Sequence, residues 1–297
     1  MTTDYKIRKA TLDDIDMLYN LGTTEDAFRI RNEDKDLSEE EAKARAKSCF
    51  WGEDELKGWI NHADDNGDVL LIAEKNGKNV GFVLSILYKA LEEAELENTY
   101  TIKEERGNLV ASALRNERDR LLKQNNAKET VILTEKEEVG ERAERHGYDF
   151  LGTFNWHMDF LEKESVITDS DYNVRSMETA DLAAIKTDYT SSHLENLIKE
   201  APEKGHCLLV AEKDGEIKGY AISTLHKPTK KAKMRYIHGT DQDMEVNLLN
   251  HCKKNLKENG AGFIAYIADE TDEKLKETLA KAGYVPGKLF EQYRGKI

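Results

Sequence analysis

Three cysteines and three prolines among 297 residues are too few for a disulfide framework or a proline-rich arm. Cys49, Cys207 and Cys252 are odd in number and form no C-x-x-C pair, the usage expected of reduced thiols in a cytoplasmic protein. Long apolar runs are missing as well. The longest, around Val80–Tyr88, contains Gly81 and Ser85 and reaches half the length of a membrane span. The opening residues, Met1 to Lys6, hold no apolar stretch, so no secretory leader is expected. Basic charge is in deficit, with 44 Lys and Arg against 58 Asp and Glu and a net charge of −14. Such a surface repels phosphate backbones and anionic lipid, so neither nucleic acid nor membrane is an expected partner. A local ring of backbone N–H groups can still hold an anionic cofactor against that overall sign.

The chain is long enough for two sizeable cores without a staple or a metal. It also repeats itself. Residues 68–85 read DVLLIAEKNGKNVGFVLS and residues 206–223 read HCLLVAEKDGEIKGYAIS. Leu70/Leu208, Leu71/Leu209, Ala73/Ala211, Glu74/Glu212, Lys75/Lys213, Gly77/Gly215, Gly81/Gly219 and Ser85/Ser223 coincide without a gap. Each copy predicts a β-hairpin turning at Asn76-Gly77 or Asp214-Gly215. Ahead of it, Tyr5-Lys-Ile-Arg8 is echoed by Tyr172-Asn-Val-Arg175, each a short strand followed by a helix start at Thr11 or Thr179. Near the end of each half, Gly147-Tyr148 is echoed by Gly283-Tyr284, a glycine closing a helix before a strand. The halves meet in the charged stretch Leu161–Asp171, with the boundary near residue 165. Two helices are expected ahead of the first hairpin. The second, Leu37–Ile60, exceeds its counterpart near Ser191–Lys199 and counts as an insertion.

One joint has the chemistry of an anion site. A strand at Leu96–Ile102 runs through a short charged loop into a helix beginning Val110-Ala111-Ser112. The first N–H groups of a helix are unpaired and its dipole is positive there. Arg106 adds a full charge, and Gly107 and Ala111 let the backbone approach closely. The matching joint of the second half, from Lys233, carries Asp241, Asp243 and Glu245 instead, and like charge costs anion binding.

With these features and this order of elements, nearly the whole chain resembles the GNAT superfamily of acyl-CoA-dependent N-acyltransferases. The resemblance implies an α/β fold of two tandem GNAT-like domains, each a mixed, twisted sheet flanked by helices. Residues 1–164 would form the acyl-CoA-binding domain, with the helical insertion at about 37–60, and residues 165–297 a degenerate copy. The family's pyrophosphate pattern is Arg/Gln-x-x-Gly-x-Gly/Ala. Arg106 and Ala111 hold its ends, while Leu109 stands where the middle glycine is expected. The pattern implies that the N–H groups of Gly107, Asn108, Leu109, Val110 and Ala111 cradle the pyrophosphate. The main chain around Tyr100, Thr101 and Ile102 would pair with the pantetheine amides.

The implied activity is transfer of an acyl group from acetyl-CoA, or another acyl-CoA, to a small cationic amine, the acceptor favoured by the acidic chain. The alternative is a non-catalytic GNAT-fold binding or regulatory module. Glu97, on the strand before the loop, is the candidate base. Strict alternation groups Glu95, Glu97 and Thr99 on one face and Leu96, Asn98 and Tyr100 on the other. The family's usual tyrosine acid would stand four residues before the glycine that closes the last helix, where this chain has Ala143 and Leu279. Tyr100, Tyr148 or a water is left to fill that role. His238, Asp241, Asp243, His251 and Cys252 have no ligand spacing, so no metal is expected. Phe50, Trp51 and Trp59 read as core of the inserted region, and a homodimer is left open.

Overall fold

A computed structural model describes residues 5–33, 37–49, 52–134, 137–161, 167 and 171–297. Phe50 and Trp51 lie outside them. Each hairpin forms as its turn residues dictate. Asn76 and Gly77 take φ of 51° and 73°, and Asp214 and Gly215 take 55° and 78°, the two left-handed residues that a two-residue turn between twisted strands requires. The chain divides into two compact units, residues 1–132 with 296–297, and residues 133–295.

Unit 1 runs β1 (Lys6–Lys9), α1 (Ile15–Glu33), α2 (Glu39–Cys49), α3 (Glu53–Asn66), β2 (Val69–Lys75), β3 (Lys78–Tyr88), β4 (Glu93–Thr101), α4 (Val110–Gln124) and β5 (Glu129–Thr134, its last two residues outside the unit). Its strands are ordered β1-β2-β3-β4-β5. Neighbours are antiparallel except β4 and β5, which are parallel. Val69, Leu71, Val83 and Leu87 on the sheet pack with Val110, Leu114 and Leu122 of α4 in one buried cluster. Burying each large side chain there is worth about 1.5–3 kcal/mol. Trp59 of α3 is fully buried, and its indole N–H donates to Asp68 at 3.0 Å.

Unit 2 holds α5 (Glu137–Arg145), β6 (Asp149–Asp159), β7 (Asn173–Ser176), α6 (Ser191–Lys204), β8 (Cys207–Lys213), β9 (Glu216–His226), β10 (Lys231–Gly239), α7 (Gln242–Glu258), β11 (Phe263–Asp269), α8 (Glu273–Lys281) and β12 (Val285–Lys296, its last residue outside the unit). Its strands are ordered β7-β8-β9-β10-β11-β6-β12. Again one pair, β10 and β11, is parallel. The core repeats that of unit 1, with Leu209, Ala211, Ala221 and Leu225 against Met244, Leu248, Cys252 and Leu256 of α7. β6, which precedes the second copy of the repeat in sequence, pairs with β11 and β12.

The repeat extends to side-chain networks. Arg8 donates to both carboxylate oxygens of Asp14, at 2.6 and 2.7 Å, and through Nε to Glu74. Arg175 does the same to Asp181, at 2.7 and 2.8 Å, and to Glu212 at 3.1 Å. Burial alone would lift the Asp14 carboxyl, but hydrogen bonds from Arg8 and Thr11 outweigh it and hold the group below the ordinary range.

Two expectations change. The second turn is capped at Glu178, whose backbone N–H donates to Asp181 at 2.7 Å, rather than at Thr179. Three helices, not two, precede the first hairpin, because Gly52 starts α3 anew. α3 and α6 both end on a left-handed glycine just before a hairpin, so they correspond, and α1 and α2 have no counterpart among the described residues of unit 2.

Candidate functional site at the strand–helix joint of unit 1

The register of β4 creates the site. Opposite β3, Leu84 pairs with Asn98 and Ser85 with Leu96, so Glu97 is the extra residue of a β-bulge. The parallel ladder with β5 ends at the same point, with Leu96 against Ile132. Beyond it, β4 continues to Thr101 alongside β3 alone among the described ladders. Unit 2 splits at the matching place, with Arg235 in the bulge and the β10–β11 ladder ending at Met234.

The bulge overturns strict alternation along β4. Leu96 packs on the α4 cluster. Tyr100, four residues on and of the same parity, pairs with Phe82, with ring centroids 4.9 Å apart. Val83 belongs to the α4 cluster, so its neighbour Phe82 faces the other way and Tyr100 with it. Leu96 and Tyr100 therefore lie on opposite faces, and Glu97, half-buried, sits where the faces exchange.

After β4, residues 102–109 form the loop into α4, against only residues 240–241 between β10 and α7. Gly107 has φ of 86°, and a Cβ added there would meet nothing within 4 Å. Leu109 takes φ of 66°, the left-handed conformation that the glycine of the pyrophosphate pattern would adopt freely, and its side chain is exposed. Leu109, at the N-cap of α4, makes no side-chain cap. In unit 2 the cap is Asp241, whose carboxylate accepts from the Met244 amide at 2.8 Å.

The predicted residues fall as follows. Arg106, Gly107, Asn108, Leu109, Val110 and Ala111 are together at the joint. Arg106 is exposed, and its Nε donates to the Thr101 carbonyl at 3.1 Å. The Ile102 amide donates to the Val80 carbonyl at 3.0 Å, so it is engaged on the β3 side. Tyr5, Lys75 and Glu105 were not singled out by sequence. The Tyr5 hydroxyl donates to Glu105 at 2.9 Å, and Lys75 donates to both Glu105 oxygens at 2.9 and 3.0 Å. Hydrogen bonds from Lys75 and Tyr5 hold that carboxyl below its ordinary range. Tyr5 and Lys75 do recur as Tyr172 and Lys213 in the repeat, a signal that could have marked them.

A mixed sheet split at a bulged strand, with an uncapped helix following, now bears comparison with solved structures. A GCN5-related N-acetyltransferase from Sphaerobacter thermophilus matches with a TM-score of 0.57 and 11% identity, over 100% of this chain and 96% of its own. A tandem GNAT protein from the clavulanic acid biosynthesis pathway matches at 0.54 and 10%, over 98% of each chain. The chain has the GNAT fold. A putative acetyltransferase from Pyrococcus horikoshii matches too, at 0.53 and 14%, over 100% of this chain and 91% of that one. No protein-family model matches the sequence, and no curated protein matches it.

Ala143 of α5 and Leu279 of α8 are both buried. Among the described residues no group of three or more His, Cys, Asp or Glu could hold a metal, and no helix is long and apolar enough to cross a membrane.

Proposed function

We propose that the protein is an acyl-CoA-dependent N-acyltransferase, with acetyl-CoA as the simplest donor and a small cationic amine as acceptor. The contrast between the two joints carries this reading. α4 begins uncapped after a loop bearing Arg106 and an open Gly107, whereas α7 is closed by its own Asp241. A diphosphate gains from unpaired N–H groups and the positive end of a helix dipole, and unit 1 offers both. Arg106 and the amides of Gly107, Leu109, Val110 and Ala111 would hold it, whereas the Asn108 amide, expected to join them, donates to the Glu105 carbonyl at 3.2 Å.

In the reaction the amine nitrogen attacks the thioester carbonyl, a C–N bond forms and the C–S bond breaks. Glu97 takes the proton lost by the amine, and the departing thiolate gains one from the Tyr100 hydroxyl or from water. The acidic balance of the chain favours a cation as acceptor. One observation favours a second reading, a GNAT-fold module that binds without catalysing: buried Ala143 and Leu279 stand where the tyrosine acid is expected.

Titration with acetyl-CoA, longer acyl-CoAs and free coenzyme A, followed by melting temperature, tests both. Binding at one hundred times Kd should add about 2.7 kcal/mol of stability. Thiol release in the presence of an amine panel then supports the enzyme, and binding without turnover supports the module. No response to any of these ligands would reject the enzyme and point to the non-catalytic module.

A further inference from the structure

In each unit the tyrosine that opens the repeat donates to a carboxylate, and the two carboxylates are placed differently. In unit 1 the Tyr5 hydroxyl donates to Glu105 at 2.9 Å, and the Lys75 ammonium, which binds both Glu105 oxygens, lies 5.4 Å from the centroid of the Tyr5 ring. In unit 2 the Tyr172 hydroxyl donates to Asp241 at 2.9 Å, and Lys213 lies 5.4 Å from the Tyr172 ring. Tyr5 and Tyr172 open the two copies of the repeat, and Lys75 and Lys213 end the first strand of each hairpin, so the pairs are equivalent by position.

The acids are not equivalent. Asp241 reaches Tyr172 through Oδ2 while its Oδ1 accepts the Met244 amide, so one carboxylate both meets the tyrosine and caps α7. Glu105 belongs to the loop ahead of Arg106, and the N-cap residue of α4, Leu109, makes no side-chain cap. In unit 1 both Glu105 oxygens accept from the Lys75 ammonium, and Oε2 accepts from Tyr5 and Asn108 as well, so side chains rather than a helix amide hold this carboxylate. A carboxylate left loose beside a helix N-terminus is drawn to the same N–H groups that a diphosphate would use, and like charge opposes the ligand.

We propose that Tyr5 and Lys75 are positioning residues that sequester the Glu105 charge away from the N-terminus of α4 and so keep the joint open to the diphosphate of acyl-CoA. The inference rests on the acyltransferase reading above. It assigns to Tyr5, just ahead of β1, and to the first hairpin, whose core packs on Val110 of α4, control over whether the joint is self-capped or available.

The test is calorimetric titration of free coenzyme A into the full chain. Lys75→Met should weaken binding about tenfold, because it frees a negative charge beside the site. Glu105→Gln alone should bind within about threefold of wild type, and the double variant Lys75→Met/Glu105→Gln should recover to the same level, since the competitor is gone. Lys213→Met, the counterpart in unit 2, should leave affinity unchanged. Melting curves of every variant accompany the titrations, and the recovery in the double variant is a result that simple loss of structure cannot produce. Unchanged binding by Lys75→Met overturns the inference. So does a double variant as weak as Lys75→Met, which would mean that the lysine touches the ligand itself. Failure of the wild type to bind coenzyme A removes the acyltransferase reading and this inference with it, an outcome distinct from either of the others.

Discussion

The Asp241 carboxylate accepts the Met244 amide at 2.8 Å and ends α7 with an anion of its own, at the place where Leu109 leaves α4 without a cap. One helix start is closed by its own N-cap side chain and the other is not. The first prediction follows from that asymmetry. Arg106→Ala should weaken coenzyme A binding by about tenfold or more, the worth of a hydrogen bond to a charged group. Gln242→Ala, at the first turn of α7, should leave it unchanged. Titration of both variants decides which joint binds, and the reverse pattern would assign the site to unit 2.

Leu109 holds a φ of 66° with an exposed side chain. A left-handed L-residue costs roughly 1–2 kcal/mol, and glycine removes that cost while adding some entropy to the unfolded chain. Leu109→Gly should therefore raise the melting temperature by about 1–3 °C and bind coenzyme A at least as tightly. Leu109→Val, β-branched, should do the opposite. A Leu109→Gly variant that melts below wild type would show that the leucine side chain contributes packing that outweighs the strain.

Arg8 and Arg175 each tie a buried aspartate to a β-strand glutamate. Arg8→Met leaves Asp14 buried and without its bidentate partner, a loss of roughly 2–4 kcal/mol at neutral pH. Arg175→Met should destabilise unit 2 in the same direction. Both aspartates are held below their ordinary range, so their contribution is complete above the unfolded carboxylate value and is lost as pH falls through the folded one. Denaturant melts at neutral pH and near pH 3 should show the difference between wild type and variant shrinking in acid. A difference that stays constant with pH would remove the ion pair as its cause.

How far these features can be read from sequence depends on whether a residue type signals them. The hairpins could be read because Asn76-Gly77 and Asp214-Gly215 declare a left-handed turn, and the strand–helix joint could be read because Arg106, Gly107 and Ala111 are unusual together. The bulge at Glu97 could not. It depends on how β4 registers against β3, and no side chain announces it, so alternation assigned Tyr100 to the wrong face. Glu105 escaped for a related reason. Its partners are 100 and 30 residues away, and in an acidic chain one more glutamate carries no signal. The extra helix boundary at Gly52 was hidden because a single glycine inside a helical pattern is tolerated and so need not end the helix.

The His206 side chain is only 7% exposed, and its pKa is pushed down to about 4, by burial first and then by the cations Arg235, Lys204 and Lys227. The Leu225 amide donates to its Nδ1 at 3.1 Å, so the ring is neutral with its proton on Nε2, 3.9 Å from Glu200. The unfolded ring takes a proton at about pH 6.5 and the folded ring resists it, so stability is complete above about 6.5 and is lost as pH falls toward 4. The loss from this one group is of the order of 3 kcal/mol. Unfolding measured from pH 7 to 4.5 should fall less steeply in His206→Gln than in wild type. Coincident slopes would exclude the ring as a contributor.

Glu97 occupies the bulge where the β4–β5 ladder ends and the faces of β4 exchange. A bulge re-aims a side chain without moving the strand, which suits a group that must meet substrate at a split in the sheet. If Glu97 is the base, Glu97→Gln preserves shape and removes proton affinity. Coenzyme A binding should then stay within about twofold of wild type, because the diphosphate cradle lies beyond the strand. Turnover of an accepted amine, followed by thiol release, should drop about 10²–10⁴-fold, the usual contribution of a positioned general base. The deficit should be largest at low pH, where the amine is most protonated, and should narrow as pH rises and free amine accumulates. A deficit independent of pH would mean that Glu97 positions the acceptor rather than deprotonating it. Full turnover in Glu97→Gln would take the base assignment away altogether.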